Sequence, residues 1–128
     1  MTKTLKVAAV LMILVSLASC SEKIIGTWNI ASYEESTKGK QGAVLSNIGT
    51  ITFEKSGNGT KDISYSIMGI LMEDKLPFTW TLEENIVTIE GEDSEFSKTW
   101  IVMENKRKSQ SWKSTDGSSE VHKLKLTK

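Results

Sequence analysis

From Ile24 onward, apolar and polar positions alternate with a period of two, and clusters of Gly, Asn, Asp, Ser and Glu interrupt them at short intervals. That period belongs to strands, because successive side chains point to opposite faces. The pattern is cleanest in the fourth run, where Leu76, Phe78, Trp80 and Leu82 share one face and Thr79, Thr81 and Glu83 the other. Before it come Ile24 to Tyr33, Gly49 to Lys55, and a run from Thr60 that aligns Ile63, Tyr65 and Ile67. After it come Ile86 to Glu90, Phe96 to Glu104, Ser109 to Ser114, and Glu120 to Thr127. No helical period appears after Leu17.

The punctuation between runs is chemical. Ser56-Gly57-Asn58-Gly59 is a strong hairpin signal, since glycine and asparagine tolerate positive φ. Glu73-Asp74-Lys75, Glu84-Asn85 and Asn105 to Lys108 are expected to turn. Met68, Ile70, Leu71 and Met72 make the third run apolar on both faces, and Gly69 suggests a bulge there. Glu34 to Asn47 is polar, shows no clear period and is expected to be a long loop. In the sixth run either Trp100 and Val102 or Ile101 and Met103 face the core. Eight short strands joined in sequence imply an all-β, antiparallel up-and-down barrel, because closure removes the open edges of a meander.

The first nineteen residues have a different character. Lys3 and Lys6 precede an apolar segment from Val7 to Leu17, then small residues and Cys20, the only cysteine. The apolar segment is about half the ~20 residues a transmembrane helix needs, so it is expected to be an export signal. Leu17-Ala18-Ser19-Cys20 resembles the lipobox of bacterial lipoproteins. The resemblance implies a signal at 1–19, a thiol acylated at Cys20, a tether at 20–23 and one domain at 24–128. Each buried CH₂ adds ~0.8 kcal/mol, so two or three acyl chains would hold the domain on a membrane. Ser21, rather than aspartate, then implies delivery to the outer membrane of the cell envelope, with the periplasmic face favoured over the surface.

Composition narrows the function classes. The full chain of 128 residues carries 16 basic and 16 acidic residues, and loss of Lys3 and Lys6 with the signal leaves it weakly acidic. That is not the basic footprint of a nucleic-acid binder. Lys106-Arg107-Lys108 suits a solvated turn, and the acids of Glu83-Glu84 and Glu90 to Asp93 fall at strand ends. His122 is the only histidine and reads as an ordinary strand position without partners at ligand spacing. Met68, Met72 and Met103 form no soft-metal motif. No catalytic constellation, metal site or cofactor is expected, and the chain is not expected to be an enzyme.

Gly26-Thr27-Trp28 on the first strand resembles the Gly-x-Trp motif of the lipocalin and fatty-acid-binding (calycin) superfamily. More closely, residues 24 to 127 resemble the small lipocalin-like domain lipoproteins of Bacteroidetes-type bacteria. The motifs that carry this are Ile25-Gly26-Thr27-Trp28, Gly49-Thr50-Ile51-Thr52-Phe53, Gly57-Asn58-Gly59-Thr60, Phe78-Thr79-Trp80 and Lys123-Leu124-Lys125-Leu126. The resemblance implies that Trp28 packs across the closed end and that the loop from Glu34 caps the mouth. It also implies a small hydrophobic ligand in the barrel. Phe53, Tyr65, Phe78, Trp80 and Trp112 are the large inward residues that would touch it. The alternative is a barrel filled by those same side chains, with the protein acting through its surface on an envelope partner.

Overall fold

The computed structural model describes residues 23–37, 42–92, 94–114 and 120–128. The signal segment and Cys20 lie outside the described residues. Nine strands are present among them: β1 Gly26–Thr37, β2 Ala43–Phe53, β3 Asn58–Ile67, β4 Ile70–Asp74, β5 Phe78–Glu83, β6 Ile86–Glu90, β7 Thr99–Asn105, β8 Ser109–Ser114 and β9 Glu120–Thr127. All pairings are antiparallel, and β1 pairs with β9 as well as β2. Because β2 also pairs with β3, the sheet closes into a barrel.

The barrel has eight strand positions because β4 and β5 lie end to end along β3. Ile70 to Asp74 pair with Ile67 to Ile63, and Phe78 and Thr79 with Gly59 and Asn58, in one continuous register. Pairing lapses at 75–77, where Pro77 has no N–H to donate. The turn therefore does not fall at Glu73-Asp74-Lys75, and Gly69 is not a bulge. The chain reverses at Met68-Gly69, both with positive φ (52° and 79°), the geometry of a tight two-residue hairpin. Gly69 adopts this freely, but Met68 has a Cβ to accommodate. Met68→Asn, which suits the left-handed region, is expected to raise unfolding stability by about 0.5–1 kcal/mol. Thermal or urea unfolding measures it, and an unchanged midpoint would contradict the strain.

Within Glu34 to Asn47, residues 34–37 and 43–47 are strand rather than loop, and 38–41 lie outside the described residues. Tyr33, Glu34 and Glu35 pair with Leu45, Val44 and Ala43, so β1 and β2 continue as a hairpin arm at the mouth. Most of residues 43–47 are exposed, so no alternation marks them in the sequence. A register shift between Ile30 and Ser32 changes the phase of β1. Trp28 and Ile30 point inward before it, and buried Tyr33 does so after it. In β7, Trp100 and Val102 face the core, while Ile101 and Met103 face solvent.

The interior is a solid aromatic core. Phe53 sits at its hub, with ring centroids 5.5 Å from Phe78, 5.4 Å from Trp80 and 5.5 Å from Trp112. Trp112 lies 6.4 Å from Trp100. Each indole N–H has an acceptor: Trp28 donates to the Ile24 carbonyl, Trp80 to those of Glu54 and Asn58, Trp100 to that of Phe96, and Trp112 to Gln110 Oε1. Buried indoles are stable only when that proton is satisfied, and the bonds fix the ring orientations. Trp28 is fully buried where the chain enters the barrel, with the Lys128 ammonium 4.5 Å above its ring.

Candidate functional site

At the opposite end from Trp28, the barrel opens into a cleft of about 630 Å³ between β3, β4 and residues 94–98. Its floor is polar. The Lys61 Nζ donates to Asp74 Oδ2 (2.9 Å) and to Ser94 Oγ (2.6 Å), and Ser94 Oγ donates to Asp74 Oδ2 (2.7 Å). The Lys61 side chain is fully buried, and its ammonium sits 5.8 Å from the Phe78 ring. A buried charge survives only when paired and hydrogen-bonded. Lys61, Asp74 and Ser94 satisfy one another, with Asp74 and Ser94 facing the cleft and the Lys61 side chain buried beneath them.

The walls differ in chemistry. Tyr65 pairs with Met72, and Ile67 with Ile70, on the core-facing side of the β3–β4 hairpin. These positions carry the inward alternation of Ile63 up to the rim, where Ile67 and Ile70 become exposed. Of these, Tyr65 and Met72 give the cleft an apolar wall. Phe96 adds to it from the segment before β7, and Glu73, Asp74 and Glu95 outnumber Lys98 among the charged groups around the cleft.

Both tyrosines sense that excess. Burial raises the Tyr33 hydroxyl well above the ordinary tyrosine range, with Glu95 and then Glu35 adding to it. Tyr65 is raised by burial, then by Glu95 and Asp74. A pKa raised in the folded state means that stability held below the unfolded value is lost as pH climbs towards the folded one. Absorbance titration of the two tyrosines is therefore expected to show no half-ionisation near pH ~10 in the native protein, and loss of stability above that pH. Ordinary titration at pH ~10 would contradict the burial of Tyr33.

On the other side of the mouth, β1 and β9 place Glu35, Glu120 and His122 together. His122 is buried, with Tyr33 Oη 2.6 Å and Lys98 Nζ 2.7 Å from its Nδ1.

Among the residues picked out from the sequence, Phe53, Phe78, Trp80 and Trp112 pack against one another below the Lys61 floor, and Tyr65 lines the cleft. Lys61 is the residue that sequence reasoning missed although a signal existed. It is a charge at an inward position between Gly59 and Ile63. Glu35 and Glu120 gave no signal, because only strand register brings them to His122.

A family model described as a lipocalin-like domain matches residues 24–109. The fold is similar to the crystal structure of a lipocalin-like protein from Bacteroides uniformis, with a TM-score of 0.55 and 15% identity over 83% of this chain and 98% of that one. It is also similar to an uncharacterized protein from Bacteroides eggerthii, with a TM-score of 0.52 and 14% identity over 82% of this chain and 98% of that one. No curated protein matches the chain.

Proposed function

The chain belongs to the lipocalin-like domain family, and from that premise we propose that it is a lipid-anchored binding module of the bacterial envelope. It holds a small amphipathic molecule in the mouth cleft rather than within the barrel. The observation that carries this reading is the open cleft, of a size common for small-molecule sites, above a core already filled around Phe53. The apolar body of the ligand lies against Tyr65, Met72 and Phe96. With Asp74 already matched by Lys61, Glu73 and Glu95 favour a neutral or cationic polar group over a carboxylate, because like charges repel in a partly desolvated site. A simple fatty acid is thus disfavoured. The Leu17-Ala18-Ser19-Cys20 motif supports anchoring through Cys20, Ser21 supports placement on the outer membrane, and Glu22 followed by Lys23, with no acidic cluster, supports the periplasmic face.

Native mass spectrometry of the chain recovered from its host membranes tests the binding. The expected result is an extra mass that organic extraction removes and that Tyr65→Ala with Met72→Glu abolishes. An extra mass unaffected by those changes would overturn the assignment to the mouth. Metabolic labelling with palmitate tests the anchor. Label should enter the wild-type chain and not Cys20→Ser, and equal labelling of both would overturn acylation at Cys20.

A filled barrel acting through its surface is the second reading, favoured by one observation. Met68 is 98% exposed at the hairpin tip, beside exposed Ile67, Ile70 and Leu71. Bare protein in the native spectrum would favour it, with an envelope protein as the partner of the tip.

A further inference from the structure

The only histidine stands in a setting that a solvated strand residue does not need. Glu35 on β1 pairs with His122 on β9, and Glu120 pairs with Thr37 one alternate position nearer the mouth. The Nε2 of His122 lies 3.9 Å from Glu35 Oε1 and 3.7 Å from Glu120 Oε2. One ligand atom from each residue falls within 4.8 Å of the other two. Tetrahedral zinc with bonds of about 2.0–2.2 Å holds its ligand atoms ~3.3 Å apart, so small side-chain rotations close the set. The imidazole cannot wander, because it is buried, contacts Tyr33 edge-on at a ring separation of 5.8 Å, and has its backbone N–H on Ser114 Oγ at 2.9 Å. Both carboxylates are about half exposed and can adjust, which leaves the remaining coordination positions to water.

We propose that Glu35, Glu120 and His122 form a zinc-binding site at the mouth of the barrel. Two carboxylates and a neutral imidazole balance a divalent cation, and the nitrogen donor favours zinc over calcium or magnesium, which take oxygen ligands. The far side of the ring decides how it works. Without metal, the Lys98 ammonium donates to Nδ1, so the ring proton sits on Nε2 and faces the carboxylates. Zinc needs the Nε2 lone pair. The ring proton then moves to Nδ1, where Tyr33 Oη accepts it, and Lys98 swings aside. The ring exchanges one tautomer for the other with no net proton change. Tyr33 is thus a positioning residue of the kind that orients metal-bound histidines, and Lys98 is a built-in competitor.

The test uses the full chain, purified without a polyhistidine tag, stripped of metal and titrated with zinc chloride. Long-range ¹H–¹⁵N correlation of the imidazole reads His122 alone. The expected result is an Nε2–H tautomer at the start and an Nδ1–H tautomer with a shifted Nε2 at one equivalent, with magnesium chloride causing no change. Calorimetric affinity should fall at least ~10-fold in Glu35→Gln/Glu120→Gln, fall by ~10-fold in Tyr33→Phe, and rise in Lys98→Met. The two glutamines keep the shape of exposed side chains, so they test ligation without risk to the fold. An unchanged imidazole at one equivalent, or unchanged zinc affinity in the Glu35→Gln/Glu120→Gln pair, would overturn the site. Neither outcome bears on the neighbouring small-molecule cleft.

Discussion

Phe53→Ala is expected to cost about 3–5 kcal/mol of unfolding free energy. Phe53 is 1% exposed and touches three aromatic rings, two on β5 and one on β8. Removing it leaves a hole walled by the Phe78 ring and by the Trp80 and Trp112 indoles, which are pinned by their own hydrogen bonds, so collapse is limited and the cavity term stays large. Domains of this size hold only about 5–15 kcal/mol in total, so the variant should unfold at markedly lower urea. The hole should also be dry and bind benzene, as apolar engineered cavities do, whereas the intact protein should not. A loss below ~1 kcal/mol would mean that the core around Phe53 is loosely packed.

The second large effect belongs to the floor of the cleft. Asp74→Ala leaves the Lys61 ammonium buried with Ser94 as its remaining partner, and breaking a buried pair from one side costs about 3–5 kcal/mol. Replacing both ends, Lys61→Met with Asp74→Leu, removes the stranded charge and should recover most of the loss. Urea unfolding of Lys61→Met, Asp74→Leu and the double forms the cycle that isolates the pair. Equal losses in Asp74→Ala and the double variant would show that the ion pair does not govern this layer. A recovered double variant would also join the apolar core to the cleft above it.

Much of the barrel was legible because one face of most strands is buried. Val87 with Ile89, Phe78 with Trp80, and Leu124 with Leu126 all sit inside, as their alternation indicated. The pattern failed where burial is one-sided for only part of a strand. The β1–β2 arm stands at the mouth with solvent around most of 43–47, so its polarity looked like a loop. The Met68 to Met72 stretch looked like a strand with a bulge because its apolar residues stay exposed on both sides of a Met-Gly turn. Sequence alternation cannot register a two-residue reversal when the residues around it are all apolar. The sixth run could not be phased because β7 is apolar on both faces, with Ile101 and Met103 outside.

The site was harder to read for a different reason. Large inward aromatics can be picked from one strand at a time, but whether they fill the barrel or line a cavity depends on how several strands converge. Here they converge on Phe53 and fill it. The groups at the mouth owe their proximity to register. Lys61 meets Asp74 and Ser94 from separate elements, and Glu35 meets His122 across β1 and β9.

The central claim is that the core is closed and the cleft above it binds. NMR of the metal-free full chain during titration with n-hexylammonium tests it most directly. The account predicts shifts of the Met72 methyl and of the Tyr65 and Phe96 rings, unmoved Phe53 and Trp112 rings, and weaker effects from hexanoate. Movement of Phe53 and Trp112, or stillness at Met72 and Tyr65, would contradict it.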